Sequence, residues 1–155
     1  MNLRPANTED LVLLFAIHRS VFRSHIETLW GWDENWQLQN FTSECAAAAT
    51  CVIDIDDQIA GYIQVLDRGS QIYLQNIAID PAFQGKGVGS MLLKDLQSQA
   101  TARNVSIHLG VFRTNTPAQR LYKRLGFRNI GETRTHIQMS WEGLHLAGGD
   151  GNPLT

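Results

Sequence analysis

Cysteine is scarce in this chain of 155 residues, which has only Cys45 and Cys51. They lie six positions apart, and neither histidine nor another cysteine stands near them at the spacing that metal ligands require. The sequence therefore indicates neither a zinc site nor a disulfide framework, and we expect no bound metal. Free thiols are also typical of the reducing cytoplasm, where we expect the protein to be found.

Long hydrophobic runs and an excess of basic charge are lacking too. The longest apolar run near the start, residues 11–17, is too short for a membrane span and, coming after Glu9 and Asp10, does not resemble a secretory signal. Lysine and arginine number 13 against 15 aspartates and glutamates, which leaves a net charge of -2. Because nucleic-acid-binding domains usually carry a basic surface, we expect neither nucleic acid nor membrane as a partner.

The composition that remains is typical of one ordinary globular domain. Hydrophobic residues make up 43% of the chain and charged residues 18%. At this length, folding buries roughly 70% of the surface of the extended chain. We predict a single domain over residues 1–141, followed by a mobile tail over 142–155 that contains glycine, aspartate, asparagine and proline.

Hydrophobic periodicity predicts alternating strands and helices. Thr8 is expected to cap a first helix that ends before Gly31, and a second short helix is expected over 33–41. Asp56 and Asp57 are expected to form the turn of a hairpin. The predicted strands are 1–4, 48–55, 59–66, 71–79, 106–111, 128–133 and 135–141.

Two further helices are predicted in the second half of the chain. The fourth helix is expected to begin at a capping box of Thr116 and Gln119, with Pro117 in the first helical position, and to end at Gly126. The third is expected to end at Asn104 and is marked by an apolar stripe. The residues of that stripe are Val88, Leu92, Leu96 and Ala100.

A glycine-rich segment joins the strand 71–79 to the third helix. Residues 84–90 read QGKGVGS, so that three glycines alternate with other residues. Glycine lets the backbone approach a bound group closely, and the free N–H groups at the start of a helix attract anions. The segment therefore predicts an anion site, and pyrophosphate is the ligand we expect.

Two nucleotide-binding motifs fit this segment poorly. A Walker loop needs serine or threonine after its lysine, but Lys86 is followed by Gly87. A dinucleotide-binding fingerprint needs a glycine at the place of Ser90 and a βαβ repeat around it. A glycine turn that serves only tight packing stays open as an alternative.

The pattern Gln84-x-x-Gly87-x-Gly89 resembles the coenzyme A pyrophosphate loop of the GNAT superfamily of acyl-CoA-dependent N-acetyltransferases. About thirty residues later, the segment 115–127, NTPAQRLYKRLGF, is similar to the family's Asn-x-x-Ala-x-x-x-Tyr-x-x-x-Gly-Phe motif. The resemblance covers most of the chain and is strongest from about 70 to 130. It implies the family's α/β fold, a mixed, splayed sheet of about seven strands flanked by about four helices.

The resemblance also implies acetyl-CoA as co-substrate. Its pantetheine arm would pair with the backbone of Ile77, Ala78 and Ile79. Gln84 would support the loop, and Asn115 would help to bind the coenzyme, with a plain helix cap as its alternative role. The main-chain amides that would hold the pyrophosphate belong to Gly85, Lys86, Gly87, Val88, Gly89 and Ser90.

Tyr122 occupies the place of the family's general acid, which protonates the departing thiolate, although a purely structural tyrosine is the alternative. The amine can attack the thioester directly, and a backbone N–H near Ile77 would stabilise the oxyanion. The general base stays open. Ribosomal-protein N-terminal acetyltransferases carry a glutamate at the place of Gly110, and histone-type members carry one at the place of Tyr73. A water relay or a residue of the N-terminal helices remains as the candidate for the general base.

The segment 25–36, HIETLWGWDENW, combines three tryptophans with three carboxylates. Aromatic faces and carboxylates attract cations, and the family binds its acceptor in this region, so we expect a small cationic amine as acceptor. The alternative is a helical elbow that packs on the sheet. His108 and His136 are expected to be structural. The acceptor-binding candidates are His25, Glu27, Trp30, Trp32 and Asp33.

Together these patterns predict an N-acetyltransferase that moves an acetyl group from acetyl-CoA to a primary amine in a ternary complex. Three alternatives stay open. They are acetylation of a protein N-terminus or lysine, a non-catalytic coenzyme A sensor, and a ping-pong enzyme that uses Cys45 or Cys51. A homodimer is a further expectation, because members of the family are often dimers.

Overall fold

The computed structural model describes residues 1–143, so most of the tail predicted over 142–155 lies outside the described residues. Within that range the chain forms seven strands, four α-helices and two short 3-10 helices, Thr8–Asp10 and Pro81–Phe83. The elements, in chain order, are β1 Asn2–Pro5, α1 Leu11–Trp30, α2 Glu34–Ala47, β2 Ala49–Ile55, β3 Gln58–Asp67, β4 Gln71–Ile79, α3 Val88–Arg103, β5 Ser106–Phe112, α4 Thr116–Arg124, β6 Arg128–Glu132 and β7 His136–Trp141.

The strands form a mixed sheet in the order β1-β2-β3-β4-β5-β7-β6. Strands β4 and β5 are parallel, while β1–β2, β2–β3, β5–β7 and β6–β7 are antiparallel. The β4–β5 register runs from Gln71↔Ser106 to Leu74↔Leu109 and so covers less than half of the nine residues of β4. This architecture confirms the predicted fold class.

The chain packs as two compact units. The first comprises Met1–Leu66 and Gln75–Val88, and the second comprises Asp67–Leu74 and the described residues from Gly89 onward. Each has its own buried core, while the single domain over residues 1–141 stays a prediction. The largest fully buried side chains are Tyr62, Phe41, Leu14 and Ile53 in the first unit and Leu93, Ile107, Leu109 and Met139 in the second.

The helical segment before α1 begins one residue earlier than predicted. Asn7 is the cap, and its Oδ1 accepts hydrogen bonds from the backbone N–H groups of Glu9 and Asp10 at 2.9 and 3.2 Å. The Asp10 carboxylate accepts from the Asn7 N–H at 2.8 Å and completes a capping box. The prediction of Thr8 as the cap is wrong, because the required acidic partner stands three residues after Asn7 and not after Thr8.

Helix α2 is longer than the predicted 33–41. Asp33 caps it by accepting a hydrogen bond from the Trp36 N–H at 3.0 Å. Past the buried Phe41, residues 43–47 read SECAA, and the glutamate and alanines among them favour continuation of the helix. Residues 42–47, which the prediction left outside the helix, therefore belong to α2.

The cap of α4 also differs from the prediction. Asn115 is the N-cap, and its Oδ1 accepts from the Ala118 N–H at 3.3 Å. The predicted capping box of Thr116 and Gln119 is wrong, because the Gln119 side-chain amide donates instead to the Phe112 carbonyl at 3.0 Å. A backbone carbonyl of the preceding strand competes successfully for this amide, which a local pattern does not reveal.

Other local predictions are confirmed. Asp56 and Asp57 have φ angles of 51° and 62°, as a two-residue hairpin turn requires. Helix α3 ends at Arg103, and Asn104 follows it with a φ angle of 57°. Every position of the predicted α3 stripe is buried, namely Val88, Leu92, Leu96 and Ala100.

Candidate active site

The glycine segment leaves β4 through the 3-10 helix Pro81–Phe83 and enters α3 at Val88. Gly85 and Gly87 have φ angles of 76° and 80°, a region that residues with a side chain rarely adopt. A Cβ atom built on either glycine would meet nothing within 4 Å. These glycines are therefore required by the backbone conformation and not by packing, and the space beside them is open. The alternative of a tightly packed turn does not fit this geometry.

Gly89 differs from the two other loop glycines. A Cβ atom at Gly89 would lie 3.6 Å from Cδ2 of Leu121, which is ordinary van der Waals contact. The protein itself would thus tolerate a small side chain there. Lys86 directly precedes Gly87 in the chain, and its Nζ lies 5.7 Å from the centre of the Phe83 ring.

Side-chain and backbone hydrogen bonds fix the corner between β4 and the loop. Gln84 donates from Nε2 to the Ile79 carbonyl at 2.8 Å, which fits the supporting role predicted for it. The Asp80 carboxylate accepts from the Ala82 N–H at 2.9 Å, and the Asp80 N–H donates to the Ala60 carbonyl at 2.7 Å. The loop is therefore anchored at its start, before the open glycines.

Gly61 on β3 is a residue that the sequence analysis did not single out. A Cβ atom there would overlap the carbonyl oxygen of Ala78, so β3 approaches β4 closely at this point. Ala78 is buried, while Ile77 and Ile79 are half-buried. The available signal was an isolated glycine inside a strand pattern, which often marks a close backbone approach.

Tyr122 and Asn115 both lie at α4 in the second unit. The Tyr122 side chain is 7% exposed, and its ring centre is 5.6 Å from that of Phe127. Burial raises the pKa of Tyr122 to about 12, so the hydroxyl keeps its proton at neutral pH. The Asn115 side-chain oxygen serves as the helix cap, which was the alternative role for this residue.

The two places where family members carry a glutamate are neighbours in the second unit. A Cβ atom at Gly110 would lie 3.5 Å from the Tyr73 hydroxyl oxygen and 3.3 Å from Nε2 of Gln138. The phenol of Tyr73 and the amide of Gln138 therefore occupy the space beside Gly110. A carboxylate is therefore lacking at both of these places.

Part of the predicted acceptor pocket on α1 and α2 already contains a cation. Glu27 accepts a hydrogen bond from Nε of Arg23 at 2.7 Å. The guanidinium carbon of Arg23 lies 5.4 Å from the centre of the Trp32 ring. Glu34 pairs with Arg19 at 2.6 Å. The structure thus brings Glu27 and Trp32 together, but around an arginine of the chain itself.

The remaining acceptor candidates have different surroundings. Asp33 is the cap of α2, as the structural alternative expected. Trp30, the last residue of α1, is 57% exposed. Partial burial lowers the pKa of His25, which keeps this imidazole mostly neutral at pH 7.

Glu44, near the end of α2, is a carboxylate that the sequence analysis missed. It is half-buried, and its Oε2 accepts a hydrogen bond from Nε2 of Gln75 on β4 at 2.6 Å. Burial raises the pKa of Glu44, and the hydrogen bond from Gln75 offsets part of that rise. Because the predicted helix stopped at residue 41, nothing in the local pattern placed Glu44 against β4.

His108 and His136 have partners that suit the structural role predicted for them. Nε2 of His108 lies 3.3 Å from the Ser140 hydroxyl oxygen. Nδ1 of His136 lies 2.7 Å from the Thr135 hydroxyl oxygen, and its ring packs against Phe112 with the ring centres 4.5 Å apart.

Cys45 shows little sign of nucleophilic chemistry. Burial raises the pKa of the Cys45 thiol, and the neighbouring Glu44 adds to that rise. Since the thiolate is the nucleophile, a raised pKa makes Cys45 less reactive and disfavours a ping-pong reaction at this residue.

Residues 1–143 contain no cluster of three or more histidine, cysteine, aspartate or glutamate side chains that could hold a metal ion. None of the helices in this part of the chain combines the length and apolar character needed to cross a membrane.

The mixed sheet and the open glycine loop between β4 and α3 fit the coenzyme A-dependent acyltransferases. Residues 12–127, well over half of the chain, match the model of the acetyltransferase (GNAT) family. The chain belongs to this family, which confirms the resemblance seen in the sequence.

Relatives differ in how much of their length this chain spans. It is 36% identical over 114 residues to the N-alpha-acetyltransferase RimI of Mycobacterium tuberculosis, a match that covers 70% of this chain and 71% of that protein. It is 32% identical over 95 residues to the spore coat polysaccharide biosynthesis protein SpsD of Bacillus subtilis. That match covers 61% of this chain but only 32% of the relative, so the chain spans about a third of that protein's length.

A solved structure supports the same fold. The PaiA N-acetyltransferase of Thermoplasma acidophilum, in complex with coenzyme A, has a TM-score of 0.74 with this chain. The match covers 92% of this chain and 98% of that one, at 15% sequence identity. At this identity the likeness concerns the fold and not the acceptor.

Proposed function

We propose that the protein transfers the acetyl group of acetyl-CoA to the primary amine of a small cationic molecule, by direct attack of the amine in a ternary complex. The observation that carries the choice of acceptor is the space beside Gly110, which contains the Tyr73 hydroxyl and the Gln138 amide. Family members that acetylate ribosomal-protein N-termini or histones carry a glutamate at one of these two places. A chain with neither carboxylate fits another acceptor class.

In this proposal the loop residues bind the coenzyme. The main-chain amides of residues 85–90 hold the pyrophosphate at the start of α3, where the positive end of the helix dipole lies. Gln84 keeps the loop on the end of β4, and the backbone of residues 77–79 pairs with the pantetheine arm. The open backbone at Gly85 and Gly87 supports this assignment. Asn115 contributes by capping the N-terminus of α4.

Tyr122 is the proposed general acid. Its hydroxyl is fully protonated at neutral pH, because burial raises the pKa of Tyr122 to about 12. A phenol of this pKa does not release its proton ahead of the reaction, so the transfer to sulfur accompanies cleavage of the C–S bond. The acid therefore acts only when the thiolate departs.

Acetylation of a protein α-amino group is the second candidate. The 36% identity to RimI of Mycobacterium tuberculosis favours it. An α-amino group has a pKa of about 8, against about 10.4 for a lysine-like amine, so it loses its proton more easily. A site with a weak base would therefore accept an α-amino group more readily than an alkyl amine.

Release of the free coenzyme A thiol, measured against a panel of acceptors, tests the proposal. The panel contains spermidine, thialysine, an aminoglycoside, and a hexapeptide that begins with alanine, with the N-acetylated hexapeptide as matched control. We expect kcat/KM for at least one small cation to exceed that for the free peptide by tenfold or more. Turnover confined to the free peptide would establish the second candidate instead.

Two further expectations belong to this proposal. A cytoplasmic location agrees with the free thiols Cys45 and Cys51. We also expect a homodimer, because members of the family are often dimers. Light scattering on the purified protein would measure the mass of the assembly.

A further inference from the structure

Glu44 differs from the other carboxylates of the helices α1 and α2 in its partner. Glu27 and Glu34 each form an ion pair with an arginine. The ion pairs described within residues 1–143 do not include Glu44, whose partner is the uncharged amide of Gln75 at 2.6 Å. An amide donor orients a carboxylate without cancelling its charge. None of these ion pairs therefore neutralises the Glu44 carboxylate.

Further hydrogen bonds tie the end of α2 to the strands beneath it. Gln64 on β3 is 0% exposed, and its Nε2 donates to the sulfur of Cys45 at 3.2 Å. Asn76 on β4 donates from Nδ2 to Oε1 of Gln64 at 2.8 Å. With Glu44 bonded to Gln75, two adjacent residues of α2 are thus connected to two adjacent residues of β4. This network holds the Glu44 carboxylate in one place.

The place is close to the proposed coenzyme-binding strand. Gln75 precedes Ile77 by two residues, which is about 7 Å along an extended strand. Ile77 begins the segment proposed to pair with the pantetheine arm and to stabilise the oxyanion. All of these residues belong to the first compact unit.

The titratable groups around Glu44 are uncharged when it ionises. Those that interact with it are Cys45 on the same helix and Tyr62 on β3, and burial raises the pKa of both above their ordinary values. His18, which contacts Tyr62, has its pKa lowered to about 4 by burial. Glu44 is therefore the one carboxylate among these groups, and its neighbours add no charge beside it at neutral pH.

We propose that Glu44 is the general base of the reaction and that Gln75 is a positioning residue for it. This inference rests on the proposed function. The Glu44 carboxylate takes one proton from the acceptor's ammonium group and later releases it to solvent. The neutral amine forms a C–N bond to the acetyl carbon, the C–S bond breaks, and the thiolate takes the Tyr122 proton. The second proton lost by the nitrogen restores the Tyr122 hydroxyl through water.

The test is the pH dependence of kcat/KM for Glu44→Gln, which keeps the hydrogen bond to Gln75 but cannot accept the proton. Spermidine and the alanine-starting hexapeptide serve as acceptors. At pH 7 we expect kcat/KM to fall by roughly 10²–10⁴-fold, with acetyl-CoA affinity and thermal midpoint unchanged. In the wild type, the rising limb of the pH profile should follow the ionisation of Glu44. In Glu44→Gln, this limb should move toward the pKa of the amine itself. Glu44→Asp should recover part of the activity.

Two more variants separate positioning from folding. Glu9→Gln removes an exposed carboxylate of the same unit and should leave rate and pH profile unchanged. Gln75→Leu removes the hydrogen bond that lowers the pKa of Glu44, so the rising limb of its pH profile should move to higher pH. An unmoved limb would contradict the role of Gln75.

The outcomes also separate this inference from the proposed function. If the wild type acetylates either acceptor and Glu44→Gln matches it in rate and pH profile, Glu44 is not the base, and the proposed function is unaffected. If the wild type acetylates neither of them nor any other amine of the panel, the proposed function fails and this inference fails with it.

Discussion

His18 and Tyr62 form a hydrogen bond inside the first unit, with Nδ1 of His18 2.8 Å from the Tyr62 hydroxyl oxygen. The ring centres of Phe22 and Phe41 lie 5.1 and 4.9 Å from that of His18. In these apolar surroundings burial lowers the pKa of His18 to about 4. The imidazole is therefore neutral in the folded protein at any pH well above 4.

This pair makes stability depend on pH. His18 takes up a proton near pH 6.5 in the unfolded chain but only near pH 4 in the folded protein, so the unfolded state gains protons first as the pH falls. The stabilisation is complete above about pH 6.5 and is lost as the pH falls toward about 4. We expect the free energy of unfolding, from urea titrations, to decrease by about 2 kcal/mol between pH 7 and pH 5.

Variants assign this effect to its source. His18→Asn replaces the imidazole by a group that does not titrate, so the loss between pH 7 and pH 5 should fall to less than half. His108→Asn, on β5, should retain the wild-type dependence. An equally steep decrease in His18→Asn would mean that other groups are responsible.

Gly61→Ala should destabilise the protein by about 1–3 kcal/mol. Its Cβ atom would overlap the Ala78 carbonyl oxygen, a backbone atom that cannot move without its strand. Gly131→Ala on β6 is the matched control, because a Cβ atom there meets nothing within 4 Å. That variant should stay within about 0.5 kcal/mol of the wild type in urea unfolding. Equal losses in both would rule out the close approach at Gly61.

Gly87→Ala should weaken acetyl-CoA binding at least tenfold in isothermal titration calorimetry. Gly69→Ala is the control, because Gly69 and Gly87 have φ angles of 79° and 80° and both face open space. The strain of a side chain at these angles should cost both variants about 1 kcal/mol of stability. Only Gly87 lies in the proposed pyrophosphate loop, so wild-type affinity in Gly87→Ala would contradict that assignment.

Tyr122→Phe should lower kcat by roughly 10²–10⁴-fold while leaving the acetyl-CoA Kd nearly unchanged, because only the donated proton is lost. Steady-state kinetics and calorimetry provide both numbers. Phe127→Leu disturbs the packing of the same ring and keeps the hydroxyl, so it should cost stability with much less effect on kcat. Normal turnover in Tyr122→Phe would remove this hydroxyl from the mechanism.

The parts of the candidate site that could be predicted are those encoded by neighbours in the chain. Gly85 and Gly87 were predictable because a turn into a helix imposes backbone angles that glycine alone adopts easily. Tyr122 was singled out because it occupies the tyrosine position of the family's motif, and its role as general acid stays a prediction. The hairpin at Asp56 and Asp57 follows from the same kind of local preference.

Glu44 and Gly61 could not be predicted, because their partners are distant in sequence. Glu44 meets Gln75, which is 31 residues away, and Gly61 meets Ala78 across two strands. The arginine that occupies the predicted pocket at Trp32 was likewise unforeseen, since the pattern of carboxylates and aromatics takes no account of Arg23.

By itself, then, the sequence determined the periodicity of the helices and strands, the turns, the glycine loop and the family. Those features depend on neighbouring residues and on short motifs of the chain, where backbone preference and spacing are enough. Only the tertiary structure decided which carboxylate meets an uncharged amide, which histidine loses its proton and which glycine a neighbouring strand requires. Burial and hydrogen bonding set those properties, and both depend on groups brought together from distant parts of the chain.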